Sequence, residues 1–290
     1  MDNHHSQHAE VLRELATLDP LDDRAFKILL SDDDIFTALA EAIRGENLDT
    51  ESIVDINGEI AVTVKGKVIR LDALRATNEE YVNIEGQIDP VSFPYKRHLY
   101  YATVIYAMSL QKSEPYQDLK PVTSIVVYKK KPDARLMETA QMSGNLVKTE
   151  TERSQLTLIA INTEKWQDAP TEELRGYLAT LHHGIMHKEN QSNFAGVDPN
   201  SQAFGNFQRA VKLACAQTKY QEFLERGESN MASKFMSFLS DEDRAEAKAE
   251  GVSLSVEIIR LLKDGVPMQE IAQRLNVAPA TVEELSIVLS

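Results

Sequence analysis

Glu85 and Gln87 stand two residues apart in a segment where Val82, Ile84, Gly86 and Ile88 alternate with Asn83, Glu85, Gln87 and Asp89. A period of two predicts a strand with one core face and one polar face, and it sends the Glu85 and Gln87 side chains out of the same side. Asp72 belongs to an earlier β-rich run, Val68 to Leu74, and the stretch between, Arg75 to Tyr81, is short and polar. A hairpin there would set Asp72 beside Glu85. Two carboxylates and an amide oxygen converging on a sheet surface make a hard, oxygen-only donor set of the kind that suits magnesium or manganese. Such an ion can acidify water and neutralise charge on a phosphate under attack. Spacing alone leaves the plainer reading open, because acidic strand residues commonly just face solvent and a two-residue motif has little specificity.

These three residues need a framework. Asp22 to Gly45 is the first strongly patterned segment: Phe26, Leu29 and Leu30 cluster at helical spacing, and Ile35, Phe36, Leu39, Ala40 and Ile43 recur at steps of three and four. The Asp32–Asp34 run suits a helix N-cap and first turn, and Gly45 suits the stop. Ile53 to Ile56, Ile60 to Val64 and Val68 to Leu74 read as strands, with Asn57-Gly58 as a turn signal; short connections predict an antiparallel meander. A helix is expected from Pro94, with Leu99, Thr103, Tyr106, Ala107 and Leu110 on one face, then strands at Val122 to Tyr128 and Leu156 to Ile161. Beyond 165 the pattern is helical, with candidates at Thr171 to Lys188, Phe204 to Arg226 and within Asp241 to Ser290. Helix, strands, helix, strand argues for an α/β or α+β core, one mixed sheet flanked by helices.

Composition bounds the function. The 290 residues are 42% hydrophobic and 26% charged, as in an ordinary globular protein. No apolar run is long enough for a membrane span, and the start, MDNHHSQHAE, lacks the apolar core of a signal peptide. Cys215 is the single cysteine, which excludes an internal disulfide framework and makes the cytoplasm the expected location. A formal net charge of −14 runs against nucleic-acid binding, which usually leaves a basic footprint. Local basic clusters exist at Lys129-Lys130-Lys131 and Lys96-Arg97, although short charge runs are often only solvated faces.

Four segments, in order, resemble the recombination-promoting nuclease (Rpn) family, also described as PD-(D/E)xK family transposases. They are Asp23-Arg-Ala-Phe26-Lys27, Leu71-Asp72-Ala73, Asn83-Ile84-Glu85-Gly86-Gln87 and Arg97-His98-Leu99-Tyr100-Tyr101. The resemblance covers about residues 20 to 165. It implies a restriction-endonuclease-like αβββαβ core followed by a mostly helical C-terminal region. With the sequence pattern, it divides the chain into a loosely ordered segment 1–20 with a helix candidate through Val11, Leu12, Leu15 and Leu18, a nuclease-like core 21–165, a helical extension 166–240 and a C-terminal segment 241–290 resembling a helix-turn-helix. It implies an enzyme, a magnesium-dependent DNA endonuclease linked to recombination or mobile elements, with manganese as a substitute ion and double-stranded DNA as partner. A homodimer would supply the second site needed to cut both strands.

Carried over, Asp72 and Glu85 become the metal-binding carboxylates and Gln87 takes the place of the superfamily's lysine. Glutamine can orient a water but brings no charge, so a cation must come from elsewhere. Arg97 is the candidate, with a surface ion pair as its alternative role. Asp23 and Lys27 read as an i,i+4 helical pair, Tyr100 as a core residue, and Glu41 either as an additional carboxylate or as a solvated helix residue. Gly86 departs from the family, which commonly has a larger apolar residue there, often methionine. Either another side chain fills the space or the strand bulges.

Two further features compete for chemistry. His183 and His187 lie four apart in the expected 171–188 helix, beside His182, a spacing that can hold zinc; the glutamate of a full motif is missing. His4, His5 and His8 read as incidental. Ile258 to Leu285 resembles a helix-turn-helix, but its third helix offers Thr281, Glu283 and Glu284 rather than basic residues, which favours a structural or oligomerising role. The alternative to an enzyme is a non-catalytic DNA- or protein-binding regulator on a nuclease-derived scaffold.

Overall fold

The structure, a computed structural model, describes residues 10–49, 54–55, 69–88, 94–110, 113–130, 135–142, 154–187, 189–239 and 271. The expected strand 60–64, the N-terminal histidines and the helix-turn-helix segment lie outside the described residues. The chain divides into two compact units, Met1–Ala232 and Ser233–Ser290. The first holds the sheet and is described below.

Residues 10–15 are helical, with Val11 and Leu15 buried, and two further helices follow. In α1 (Asp23–Leu29) the Asp22 carboxylate accepts from Arg24 N and Ala25 N. In α2 (Asp33–Arg44) the Asp32 carboxylate accepts from Asp34 N and Ile35 N, and Gly45 closes the helix at φ 73°. The caps of α2 are those expected, a side-chain oxygen satisfying orphan N–H groups and a residue without Cβ in the left-handed region; the Asp22 cap of α1 works by the same chemistry. Ile35, Phe36, Leu39, Ala40 and Ile43 form the buried stripe of α2, as their spacing predicts.

The sheet has six strands in the order β1-β2-β3-β4-β6-β5. They are β1 (Val54–Asp55), β2 (Ala73–Ala76), β3 (Tyr81–Gln87), β4 (Val122–Tyr128), β5 (Met137–Met142) and β6 (Leu156–Asn162). β1, β2 and β3 form the antiparallel meander; β4 runs parallel to β3, and β6 parallel to β4. The parallel step from β3 to β4 is bridged by α3 (Pro94–Met108), as a parallel pair requires. Towards the end of the unit come α4 (Glu172–His183) and α5 (Gln202–Glu225); α5 packs on α1 and α4. The whole is a mixed α/β core with the helix–three strands–helix–strand order expected.

Three details differ from expectation. β2 begins at Ala73, so Asp72 sits just before the strand instead of inside it. The buried face of α3 is His98, Ala102 and Ile105, while Leu99 is 43% exposed. The sequence pattern mistook that face by one position because His98 reads as polar and Ala102 is small. β5 was not foreseen: it is a sheet edge with almost every residue exposed, so its METAQM sequence carries no hydrophobic alternation.

The two sheet faces carry different loads. Leu74, Val122 and Leu156 pack under Ala102 and Ile105 of α3. The opposite face meets α1 and α2. There Arg75 is fully buried, donating from Nε to Asp33 Oδ1 and from Nη2 to Leu30 O, both at 2.8 Å, with its guanidinium 4.9 Å from the Phe36 ring centre.

Gly86 explains itself on that face. A Cβ there would lie 2.8 Å from Phe26 Cδ1 and 3.2 Å from Cε1, closer than packed carbon atoms approach. The Phe26 ring fills the space, and β3 keeps unbroken register with β4 through Gly86↔Val127 and Gln87↔Tyr128, without a bulge. Gly86→Met should therefore destabilise the fold by about 1–3 kcal/mol through overpacking. Adding Phe26→Ala should recover a substantial part of the loss. Urea unfolding of the single and double variants reads this coupling, and strictly additive effects would contradict the contact.

Candidate active site

The residues singled out by type and spacing converge at the open end of the β2–β3 hairpin. Ala73 pairs with Ile84, which places Asp72 opposite Glu85. The backbone N–H of Asp72 donates to Glu85 Oε1 at 3.2 Å, and the N–H of Gly86 donates to Asp72 Oδ2 at 2.9 Å. Each carboxylate is thus held by the other strand's backbone. Asn83, on the same face as Glu85, adds a third restraint. With its amide nitrogen turned towards them, it donates to Glu85 Oε1 at 3.2 Å and to Ala73 O at 2.9 Å.

Cations approach from both helical layers. From α1, Lys27 Nζ lies 3.6 Å from Asp72 Oδ1 while bonded to Asp23 Oδ1 at 2.9 Å. From α3, Arg97 Nη1 donates to Gln87 Oε1 at 3.5 Å and Arg97 Nε to the Tyr101 hydroxyl at 3.1 Å. Arg97's charge also bears on Glu85, lowering its pKa. The i,i+4 pair of Asp23 and Lys27 exists as expected, but sequence reasoning missed that Lys27 also reaches Asp72. The signal was the shared Asp23–Lys27 motif; its proximity to Asp72 depends on how α1 lies on the sheet.

The electrostatics are those of an undercompensated acidic pair. Glu85 is 2% exposed; burial, then the charge of Asp72, pushes its pKa from 4.5 up to about 8. Burial also raises Asp72, opposed by the Gly86 N–H and by Lys27. Raised carboxylates mark a place where negative charge lacks a partner, and a proton or a cation relieves it. Asp72 and Glu85 present only oxygen donors, which fits a hard divalent ion; magnesium is commonly held by one or two carboxylates with water and substrate phosphate completing its shell. Among the described residues no group of three or more His, Cys, Asp or Glu could hold a metal. The protein's contribution here is a carboxylate pair.

Other sequence candidates have structural work. Glu41 Oε1 accepts from Leu48 N at 2.7 Å, tying down the chain after α2. Lys129 is drawn into an ion pair with Asp19 at 2.8 Å and donates to Leu181 O at 3.2 Å, so it is no free cation. Tyr100 is half-buried, its ring 6.4 Å from that of Tyr101. The histidine reading is corrected: Gly184, at φ 81°, ends α4 after His183. His187 therefore lies past the helix, where its Nδ1 is 3.2 Å from Glu189, and the i,i+4 face with His183 does not exist. His183 packs edge-on against Trp166 instead.

A mixed sheet between helical layers, with a carboxylate pair delivered by a hairpin to its central strand, is the architecture of the PD-(D/E)XK nucleases. Residues 20–241 match the model of the PD-(D/E)XK nuclease family transposases, and the chain belongs to that family. No curated protein and no solved structure matches it. Among the described residues no helix is long and apolar enough to cross a membrane.

The acidic pair sets a sign for pH dependence. The folded pKa of Glu85, about 8, lies above its ordinary 4.5, so the folded state binds this proton more tightly than the unfolded chain. Its contribution is greatest below the lower value and is lost as pH rises through the upper one. In EDTA, the Tm of wild type relative to Glu85→Gln should fall as pH rises across that window. A divalent ion should flatten the dependence. A difference that stays level without ions would show that Glu85 titrates normally.

Proposed function

We propose that the chain is a magnesium-dependent DNA endonuclease, hydrolysing phosphodiester bonds at Asp72 and Glu85. The observation that carries this is the pair itself: Glu85 buried on β3 and Asp72 partly buried just before β2, both pushed towards protonation, in a chain of a nuclease family. Asp72 and Glu85 would hold the ion, and manganese would substitute. When bound, the ion lowers the pKa of a water and neutralises charge on the phosphate.

The chain's own residues supply the rest. Asn83 and the backbone N–H of Asp72 fix Glu85 in one orientation, so the site is organised before substrate arrives. Gln87 orients the attacking water through its amide. Arg97, beside Gln87, provides the positive charge that the glutamine lacks and faces the phosphate. Lys27 holds Asp72 from the other layer. Double-stranded DNA is the substrate, and the family's transposase character makes recombination or mobile-element movement its setting. The net charge of −14 means that the backbone is met by local cations, not by a general basic surface.

Purified protein should nick or cut plasmid DNA with magnesium and stop on addition of EDTA. Asp72→Asn and Glu85→Gln should each lower the rate by about a hundredfold or more, with little loss of folding. Lys27→Met and Arg97→Met should lower it by about tenfold to a hundredfold. Undiminished cutting in both carboxylate variants would refute the site. DNA binding without cutting in any divalent metal would favour the regulatory scaffold.

A further inference from the structure

The motif Arg97-His98-Leu99-Tyr100-Tyr101 contains a residue the proposed chemistry does not use. His98 is 3% exposed, and neither ring nitrogen has a hydrogen-bond partner. It meets Tyr128, 1% exposed, edge-to-face at 6.1 Å between ring centres, and the Tyr128 hydroxyl is likewise unpartnered. Buried polar atoms are nearly always satisfied, so three orphans on two touching side chains need an explanation. Burial, then the charge of Arg97, lowers the His98 pKa to about 4, so the imidazole is neutral and offers one donor and one acceptor.

Both residues line a cavity of about 660 Å³ between the start of α3 and the β4, β5 and β6 strands. This is within the size range of small-ligand sites. Val126, Ala160 and Met137 give it apolar walls, and the cationic side chains of Lys96 and Arg135 also border it. Its position is specific. Glu85 pairs with Val126 and Gln87 with Tyr128, so the cavity begins on the neighbouring strand of the same sheet face as the acidic pair, about 4.8 Å across. A nucleotide whose phosphate lies at Asp72 and Glu85 spans more than this between phosphorus and base.

We propose that this cavity receives an unstacked nucleobase of the DNA strand being cut, with His98 and Tyr128 in its wall turning their unpartnered polar atoms to the base edge. The inference rests on the nuclease reading above. A largely apolar cavity with a few unpartnered polar atoms in its wall suits a flat heteroaromatic ring, whose faces contact apolar side chains while its edge requires donors and acceptors. Lys96 and Arg135, the latter 3.5 Å from the Glu138 carboxylate that also lines the cavity, are the cations that would meet the flanking phosphates. The substrate preference that follows is for DNA with an unpaired or easily unpaired nucleotide at the cut.

The test uses the full chain in EDTA and fluorescein-labelled duplexes of three kinds: fully paired, carrying one bulged adenine, and carrying an abasic residue at the bulge. Anisotropy should show the bulged adenine bound about tenfold or more tighter than the abasic bulge, as base stacking and edge contacts would give. His98→Phe and Tyr128→Phe should erase that difference while leaving abasic-bulge binding unchanged. Their Tm in the absence of DNA should be unchanged or raised, since each removes an unsatisfied polar group and keeps the ring. Equal binding of adenine and abasic bulges, or a marked fall in Tm for both variants, overturns the base pocket. If magnesium-dependent plasmid cutting persists in that case, the nuclease reading survives without it. Absence of binding to all three duplexes, with no plasmid cutting, overturns both.

Discussion

The Phe26 ring lies directly on the backbone at Gly86, and the arrangement of the site depends on that contact. It lets α1 approach β3 more closely than any side chain at position 86 would allow. One residue along α1, Lys27 consequently comes within 3.6 Å of Asp72. The same contact fills the gap a strand glycine would otherwise leave, so β3 keeps its register and Glu85 and Gln87 keep a common face. A larger residue at 86 would push α1 outward and withdraw the lysine. The exchange of a bulky residue for glycine is therefore a change in how near the first helix stands to the chemistry.

Around that contact the charges are arranged locally, against the average of the molecule. The chain carries −14, yet two of its carboxylates are largely withdrawn from water and set side by side, where burial raises both and the charge of Asp72 further raises Glu85's affinity for a proton. Lys27 and Arg97 answer this from opposite helical layers. Elsewhere, basic residues are committed: Arg75 is locked between Asp33 and Leu30 O, and Lys129, from one of the local basic clusters, is tied to Asp19. Net charge is a poor guide to a site of this kind, because burial and hydrogen bonding decide which charges act on it.

Much was legible in the sequence where a local rule was sufficient. The caps of α2, its buried stripe, the bounds of β4 and the shared face of Glu85 and Gln87 follow from periodicity and cap chemistry. The pairing of Asp72 with Glu85 followed from a short polar connection between two β-rich runs. Local rules failed where the neighbour was distant. The edge strand Met137–Met142 has no pattern of its own and exists because β6 offers it a partner. The buried face of α3 was displaced by one position, because burial of His98 is set by Tyr128 and not by its own polarity.

The sequence by itself determined which residue types stand at which spacing: a carboxylate in one β-rich run, a carboxylate and an amide two apart on the next, and a glycine between them. Those depend on backbone period and short-range hydrogen bonding, which each segment carries within itself. Only the tertiary structure decided what surrounds them. Packing of α1 across the sheet brought Lys27 to Asp72 and put Phe26 where a side chain at 86 would be. Packing of α3 brought Arg97 to Gln87 and shut His98 and Tyr128 away from partners beside an apolar cavity. These contacts join residues far apart in the chain, and their energies come from burial and close approach, which no spacing rule encodes.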